Sequence, residues 1–210
     1  IELVMPETAT AERVQLMRAY GAEVILTPAA GSMEAAIDVA REKVEKGGYI
    51  MLDQFSNDDN WLAHFETTGP EIWAETPGKL RAFVSAMGTT GTIMGVSRYL
   101  KSQDASVRIL GCSPTDGACI PGIRRWPEAY LPRIYDASRV DALVDIGQDE
   151  AEAEARNLAK TSGVLVGVSS GGAVWAARRE CERMLRDGEE GSVVCILCDR
   201  GDRYLSSGLF

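Results

Sequence analysis

The sequence predicts an α/β protein with mostly parallel sheets flanked by helices and two subdomains. Short β-rich apolar runs alternate with helical stretches from one end of the chain to the other. Glycine- and threonine-rich turns stand where two of those runs enter helices. One stretch, Leu80 to Gly111, reads as strand, helix, strand, a crossover best satisfied by parallel pairing. A hydrophobic share of 45% over 210 residues is enough for one full domain, or for one domain and part of another.

Taken in order, Leu3-Val4-Met5 is a strand end and Ala9 to Tyr20 a helix stopped by Gly21. Val24-Ile25-Leu26 forms the next strand. Met33, Ala36, Ile37, Ala40 and Val44 make one stripe of a second helix, ended by Gly47-Gly48. Tyr49 to Leu52 is strand-like. Residues 53–79 are rich in turn formers and suit a link between subdomains. Leu80 to Ser85 is a strand and Gly88 to Thr92 a tight loop. Ile93, Val96 and Leu100 share a helix face, and Val107 to Gly111 is a buried strand. Ser113 to Arg139 lacks periodicity and holds four prolines and four arginines, the composition of a lid or binding loop. A helix over Asp149–Ser162, a strand over Val164–Val168, a helix over Gly172–Leu185 and a strand over Val193–Cys198 complete the set. Ligands are expected at the carboxyl ends of the strands.

Composition excludes several function classes. With 22 basic and 31 acidic residues the net charge is −9, which repels nucleic acid and anionic lipid. The longest apolar run, Val193–Cys198, is too short to cross a bilayer, and no signal-like segment opens the chain. Five cysteines, an odd number, read as reduced thiols of a cytoplasmic protein. The chain opens on Ile1 rather than Met, as after processing or a cut from something longer.

Two turns carry chemistry. Gly88-Thr89-Thr90-Gly91-Thr92 lies between a strand and a helix, where glycine bares backbone N–H groups and the helix N-terminus attracts anions. It is either a phosphate cup or a plain turn with threonine caps; without a Gly-Lys-Ser/Thr ending it is not a P-loop. Gly167-Val168-Ser169-Ser170-Gly171-Gly172 stands in a similar place. It offers a second phosphate site, a serine aimed at a ligand atom, or an N-cap serine. Cys195 and Cys198 spell Cys-x-x-Cys, but no second pair exists and His64 is the one histidine, so no metal is expected.

These motifs resemble the cysteine synthase/cystathionine β-synthase family of fold-type II enzymes that use pyridoxal 5′-phosphate (PLP). The resemblance covers the whole chain, through Met5-Pro6, Arg18-Ala-Tyr-Gly-Ala-Glu23, Asp53-Gln-Phe55, Thr68-Gly-Pro-Glu-Ile-Trp73, Pro121-Gly-Ile-Arg-Arg-Trp126 and Asp199-Arg-Gly-Asp-Arg-Tyr-Leu-Ser206. The Thr89-Thr90 pair, Arg124-Arg125-Trp126 and Cys198-Asp199-Arg200 favour the B branch of that family. The resemblance implies that Gly88, Thr89, Thr90, Gly91 and Thr92 hold the cofactor phosphate and that Ser169 faces its ring nitrogen. It implies a substrate-carboxylate role for Gln54 and a pocket-lining role for Cys198, each weighed against simple packing. Arg124 and Arg125 meet an anionic substrate or are surface charges. Residues 1–52 then belong to the smaller N-terminal subdomain and 53–210 to the larger PLP-binding one. The implied reaction is β-replacement, making cysteine from O-acetylserine and sulfide or thiosulfate, in a homodimer. Another fold-type II lyase or synthase, or a non-catalytic PLP-binding fragment, are the rival readings. The family's cofactor-bearing lysine and its Thr-Ser-Gly-Asn-Thr loop align upstream of Ile1. Lys43, Lys46, Lys79, Lys101 and Lys160 read as solvated positions, so no catalytic residue is expected in this chain and activity by itself is not expected.

Overall fold

The computed structural model describes residues 1–210, which cluster into two compact units. One is Ile1–Asp53 with Asp202–Phe210, and the other is Gln54–Gly201. The last nine residues therefore group with the first unit, where the sequence placed them with the second.

In the first unit, strand β1 (Glu2–Pro6), helix α1 (Ala11–Ala19), strand β2 (Glu23–Thr27) and helix α2 (Ser32–Glu45) follow in turn. β1 and β2 pair in parallel, Glu2 against Glu23 through Pro6 against Thr27. Ala36 and Ile37 are the buried stripe of α2, as the spacing predicted. The C-terminal tail is fastened to the start of α1. Thr10 Oγ1 donates to the Arg203 carbonyl at 2.7 Å, and the Glu12 carboxylate accepts from Ser206 N–H at 2.7 Å and from its hydroxyl at 2.6 Å. The strand expected over Tyr49–Leu52 does not form. The sheet here is a single pair, and Ile50 and Leu52 stand exposed with no ladder to join.

The second unit is built on four parallel strands: β3 (Leu80–Ala86), β4 (Arg108–Pro114), β5 (Ala142–Ile146) and β6 (Ser192–Cys195), in the order β5-β4-β3-β6. β3 is central, and Ala82, Phe83 and Val84 are wholly buried, so both of its faces are covered. Helix α5 (Gly91–Gln103) packs on β3 and β4 through Ile93, Val96 and Leu100, all wholly buried. Helix α7 (Val168–Asp187) lies against all four strands and is backed by helix α6 (Gln148–Ser162). Gly171 permits that backing, because a Cβ there would stand 2.2 Å from the Ala151 carbonyl oxygen. α7 ends on left-handed Gly188, whose N–H and that of Glu189 bond back to Leu185 and Met184.

Four expectations need correction. Residues 53–79 do more than link: helix α3 (Asp59–Ala63), a π-helical turn (His64–Thr68) and helix α4 (Gly69–Glu75) run without a break. The Asn57-Asp58-Asp59-Asn60 cluster is their start, with Asn57 Oδ1 accepting from the Asp59 N–H. β5 was not foreseen, because Leu143, on its outward face, breaks the alternation set by Ala142, Val144 and Ile146. Val164–Val168 makes only an isolated antiparallel bridge, Val166 with Arg200, since both edges of β3 are already taken by β4 and β6. Val168 instead opens α7. The last expected strand ends at Cys195, although Ile196 N–H still reaches the Val84 carbonyl.

Candidate active site

The second unit gathers the predicted residues where β3 and β6 end and where α5 and α7 begin. The Gly88–Thr92 loop leaves the tip of β3 and enters α5. First-turn N–H groups of a helix have no partner within it, and they add a positive pole at the loop. Thr89 Oγ1 accepts from Asn60 Nδ2 at 3.1 Å and from the Gly91 N–H at 3.3 Å, which leaves its own proton to donate. Thr92 Oγ1 meets His64 Nε2 at 3.2 Å.

Conformation divides the loop in an unexpected way. The left-handed residue is Thr90, at φ 72°, rather than a glycine. Gly91 is already helical and is required for a different reason, since a Cβ there would lie 2.0 Å from Asn60 Oδ1. Thr90 is 5% exposed and its hydroxyl has no hydrogen-bond partner. Its side chain lines a cavity of about 330 Å³ together with Met87, Ser113, Arg124, Trp126 and Leu143. Ser169, Gln54 and Cys198 do not line that cavity.

The Pro121–Trp126 segment is held against the Gly88–Thr92 loop by one backbone and one side-chain hydrogen bond. Arg124 N–H donates to the Met87 carbonyl at 2.9 Å, and Trp126 Nε1 donates to that of Gly88 at 2.8 Å. Gly122, at φ 92°, passes so close to Ser169 that a Cβ would sit 2.9 Å from its Oγ. Ser169 is 2% exposed in the first turn of α7, after Gly167 as N-cap. The Cys198 thiol lies beside the Ser169 side chain and faces the Ile196 carbonyl at 3.9 Å, and Ser170 Oγ accepts from the Cys198 N–H at 2.9 Å. Desolvation of the sulfur and then the neighbouring Asp199 push the Cys198 thiol above its usual range, against the pull of Ser169. Burial takes Cys195 up to about 11. Both are neutral thiols at physiological pH rather than ready nucleophiles.

Gln54 is exposed, and its carbonyl accepts from Asn60 Nδ2 at 2.6 Å. One amide thus ties Gln54 to Thr89. The two arginines have separate places. Arg125 is committed to Ser113 Oγ at 3.2 Å and to Asp116 and Asp145 at 2.7 Å each. Arg124 lies over the Trp126 ring, 5.2 Å from its centre. Asn60 and His64 were not singled out from sequence as site residues; their four-residue spacing, which puts both on one helix face, was the available signal.

The lysines are occupied elsewhere. Lys79 precedes β3 and pairs with Asp104 at 3.9 Å; Lys101, near the end of α5, pairs with Asp141 at 2.8 Å. Lys43 pairs with Glu2 at 2.8 Å and Lys46 with Glu42. Lys160 is exposed in the last turn of α6.

A PLP phosphate fits the donor set. Gly88–Thr92 offers backbone amides, the Thr89 hydroxyl whose oxygen already accepts from Asn60, the Thr92 hydroxyl beside His64, and no carboxylate. Ser169 adds a neutral hydroxyl at the second helix start.

Comparison with known proteins agrees with that donor set. The family model for pyridoxal-phosphate dependent enzymes matches residues 1–199. Cysteine synthase B of Pseudomonas aeruginosa is 56% identical over 208 residues, 99% of this chain and 68% of that protein. Cysteine synthase B of Escherichia coli is 51% identical over 210 residues, all of this chain and again 68% of that one. Among solved structures, an O-acetylserine dependent cystathionine β-synthase from Helicobacter pylori matches at TM-score 0.87 and 35% identity, over all of this chain and 70% of its own. With a family model over nearly its whole length and relatives more than half identical, this chain belongs to the pyridoxal-phosphate dependent enzyme family.

Proposed function

We propose that the protein makes cysteine by β-replacement, exchanging the acetoxy group of O-acetylserine for a sulfur nucleophile, sulfide or thiosulfate. The observation that carries this reading is the convergence of the Gly88–Thr92 cup, Gly122 and Ser169 at the strand tips of one sheet. The two cysteine synthase B relatives are also more similar to this chain than the solved structures named for neighbouring reactions.

When bound, PLP supplies an electron sink for the substrate's Cα. Backbone amides of the cup, with the hydroxyls of Thr89 and Thr92, hold its phosphate, and Thr90 contributes through its backbone. Ser169 would present a hydroxyl, not a carboxylate, to the cofactor's ring nitrogen, so no side-chain acid would hold a proton there. Gly122, without a side chain, packs directly against Ser169. Gln54 receives the substrate carboxylate, and Cys198 lines the pocket wall next to Ser169. Arg124 attracts an anionic sulfur donor at the loop, while Arg125 anchors that loop to Asp116 and Asp145. In this reading the protein acts as a homodimer.

An enzyme that carries these residues together with the family's cofactor-bearing lysine tests the proposal when given O-acetylserine, serine or O-phosphoserine with sulfide. Cysteine formed fastest from O-acetylserine is the expected result; preference for serine would replace it with a different lyase or synthase. Arg124→Ala is expected to depress thiosulfate use more than sulfide use, because thiosulfate brings the larger charged group. Equal losses would remove Arg124 from that role.

A further inference from the structure

We propose that His64 is a positioning residue of the phosphate cup, fixing the Thr92 hydroxyl so that its proton points at the bound phosphate. The inference rests on the reading of Gly88–Thr92 as the phosphate site.

The geometry is specific. His64 opens the π-helical turn, and its ring is spanned by two hydroxyls: Thr68 Oγ1 at 2.9 Å from Nδ1 and Thr92 Oγ1 at 3.2 Å from Nε2. The turn comes this close to α5 because Gly95 lacks a side chain. A Cβ on Gly95 would lie 2.1 Å from the Trp61 carbonyl oxygen and 2.6 Å from His64 Cβ. Desolvation lowers the His64 pKa, which favours the neutral ring with a single proton at pH 7 and above.

That single proton has two possible positions, and an anion in the cup selects between them. With the proton on Nδ1, Nε2 would accept from Thr92 and turn an oxygen lone pair toward the phosphate. With the proton on Nε2, Thr92 accepts from His64 and its own proton is left for the anion, while Thr68 donates to Nδ1. Thr89 is arranged in the same way, its oxygen supported by Asn60 Nδ2. Asn60 and His64, four residues apart on one helical run, thus present N–H groups to the two side-chain hydroxyls of the cup. The π-helical turn fits such a task, since these turns are frequent at functional sites.

Two measurements decide the matter. PLP affinity is titrated for cofactor-stripped wild type, Thr92→Val, His64→Leu, the double variant and His64→Gln. Thr92→Val is expected to weaken binding about tenfold, the loss of one hydrogen bond to an anion. His64→Leu is expected to lose about as much, the double variant no more than Thr92→Val alone, and His64→Gln to recover within about twofold because its amide still donates. Unchanged affinity in Thr92→Val would overturn the cup itself. A clear loss in Thr92→Val with none in His64→Leu, or additive losses in the double variant, would overturn the role of His64 and leave the cup standing. Imidazole ¹⁵N shifts of wild type bound to PLP report the tautomer without any variant. The Nε2–H form is expected, and the Nδ1–H form would overturn the proposal.

Discussion

Thr90 combines two unfavourable features in one side chain. A β-branched residue at φ 72° bears strain that glycine would not, and its buried hydroxyl has no partner. Thr90→Gly is therefore expected to stabilise the fold by about 1 kcal/mol, strain relief exceeding the added chain entropy of glycine. Thermal unfolding measures it, and a lowered midpoint would show that the threonine makes contacts worth more than its strain. Gly91 bears on the same loop from the opposite direction. Gly91→Val drives a side chain into Asn60 and should abolish cofactor retention, which PLP absorbance of the purified protein records. Sequence made both residues visible as members of a glycine-threonine loop. It did not show which one is left-handed, because Gly91 is the natural candidate for that conformation and the obstacle to its Cβ comes from Asn60, 31 residues away.

At the scale of elements, the helical run from Asp59 to Glu75 was the least legible part of the chain, though it supports the cup from behind. Its first residues, Asn57 to Asn60, have a turn-forming composition, and its middle is π-helical, with a spacing that a 3.6-residue stripe does not detect. By contrast, α5 and β3 were legible because Ile93, Val96, Leu100 and the Leu80–Ser85 run face a single core. Contact between the helical run and α5 depends on Gly95. Gly95→Ala should destabilise by about 1–3 kcal/mol through overpacking, a value that denaturant unfolding provides. Because His64 moves with that contact, the variant should also lose PLP affinity, and unchanged affinity would mean that the turn can shift without disturbing Thr92. His64 also gives a sign for acid sensitivity. Its folded pKa lies below the unfolded value, so the unfolded state takes up the proton first and stability is lost as pH falls below about 6.5. His64→Gln should flatten the stability profile between about pH 7 and pH 5.

For the molecule as a whole, the parallel architecture followed from alternation of strand and helix. The return of Asp202–Phe210 to the first unit did not, because the bonds from Thr10 and Glu12 join residues more than 190 positions apart. Topology also places the lysines. Lys101 lies about ten residues along α5 from the cup, some 15 Å at helical rise, and Lys79 precedes β3 while the cup follows it. PLP added to these 210 residues should therefore bind reversibly. Borohydride should fix none of it on Lys79, Lys101 or Lys160, and a reduced adduct mapped by mass spectrometry to any of them would refute that.

The Asn60 amide, shared between the Gln54 carbonyl and Thr89 Oγ1, sets an order of events. Once Thr89 gives its proton to an anion, its oxygen becomes a stronger acceptor and draws the Asn60 nitrogen more firmly into place. The same nitrogen steadies the backbone of Gln54. In the proposed reading, cofactor loading thereby tightens the grip on the amino acid before any amino acid arrives.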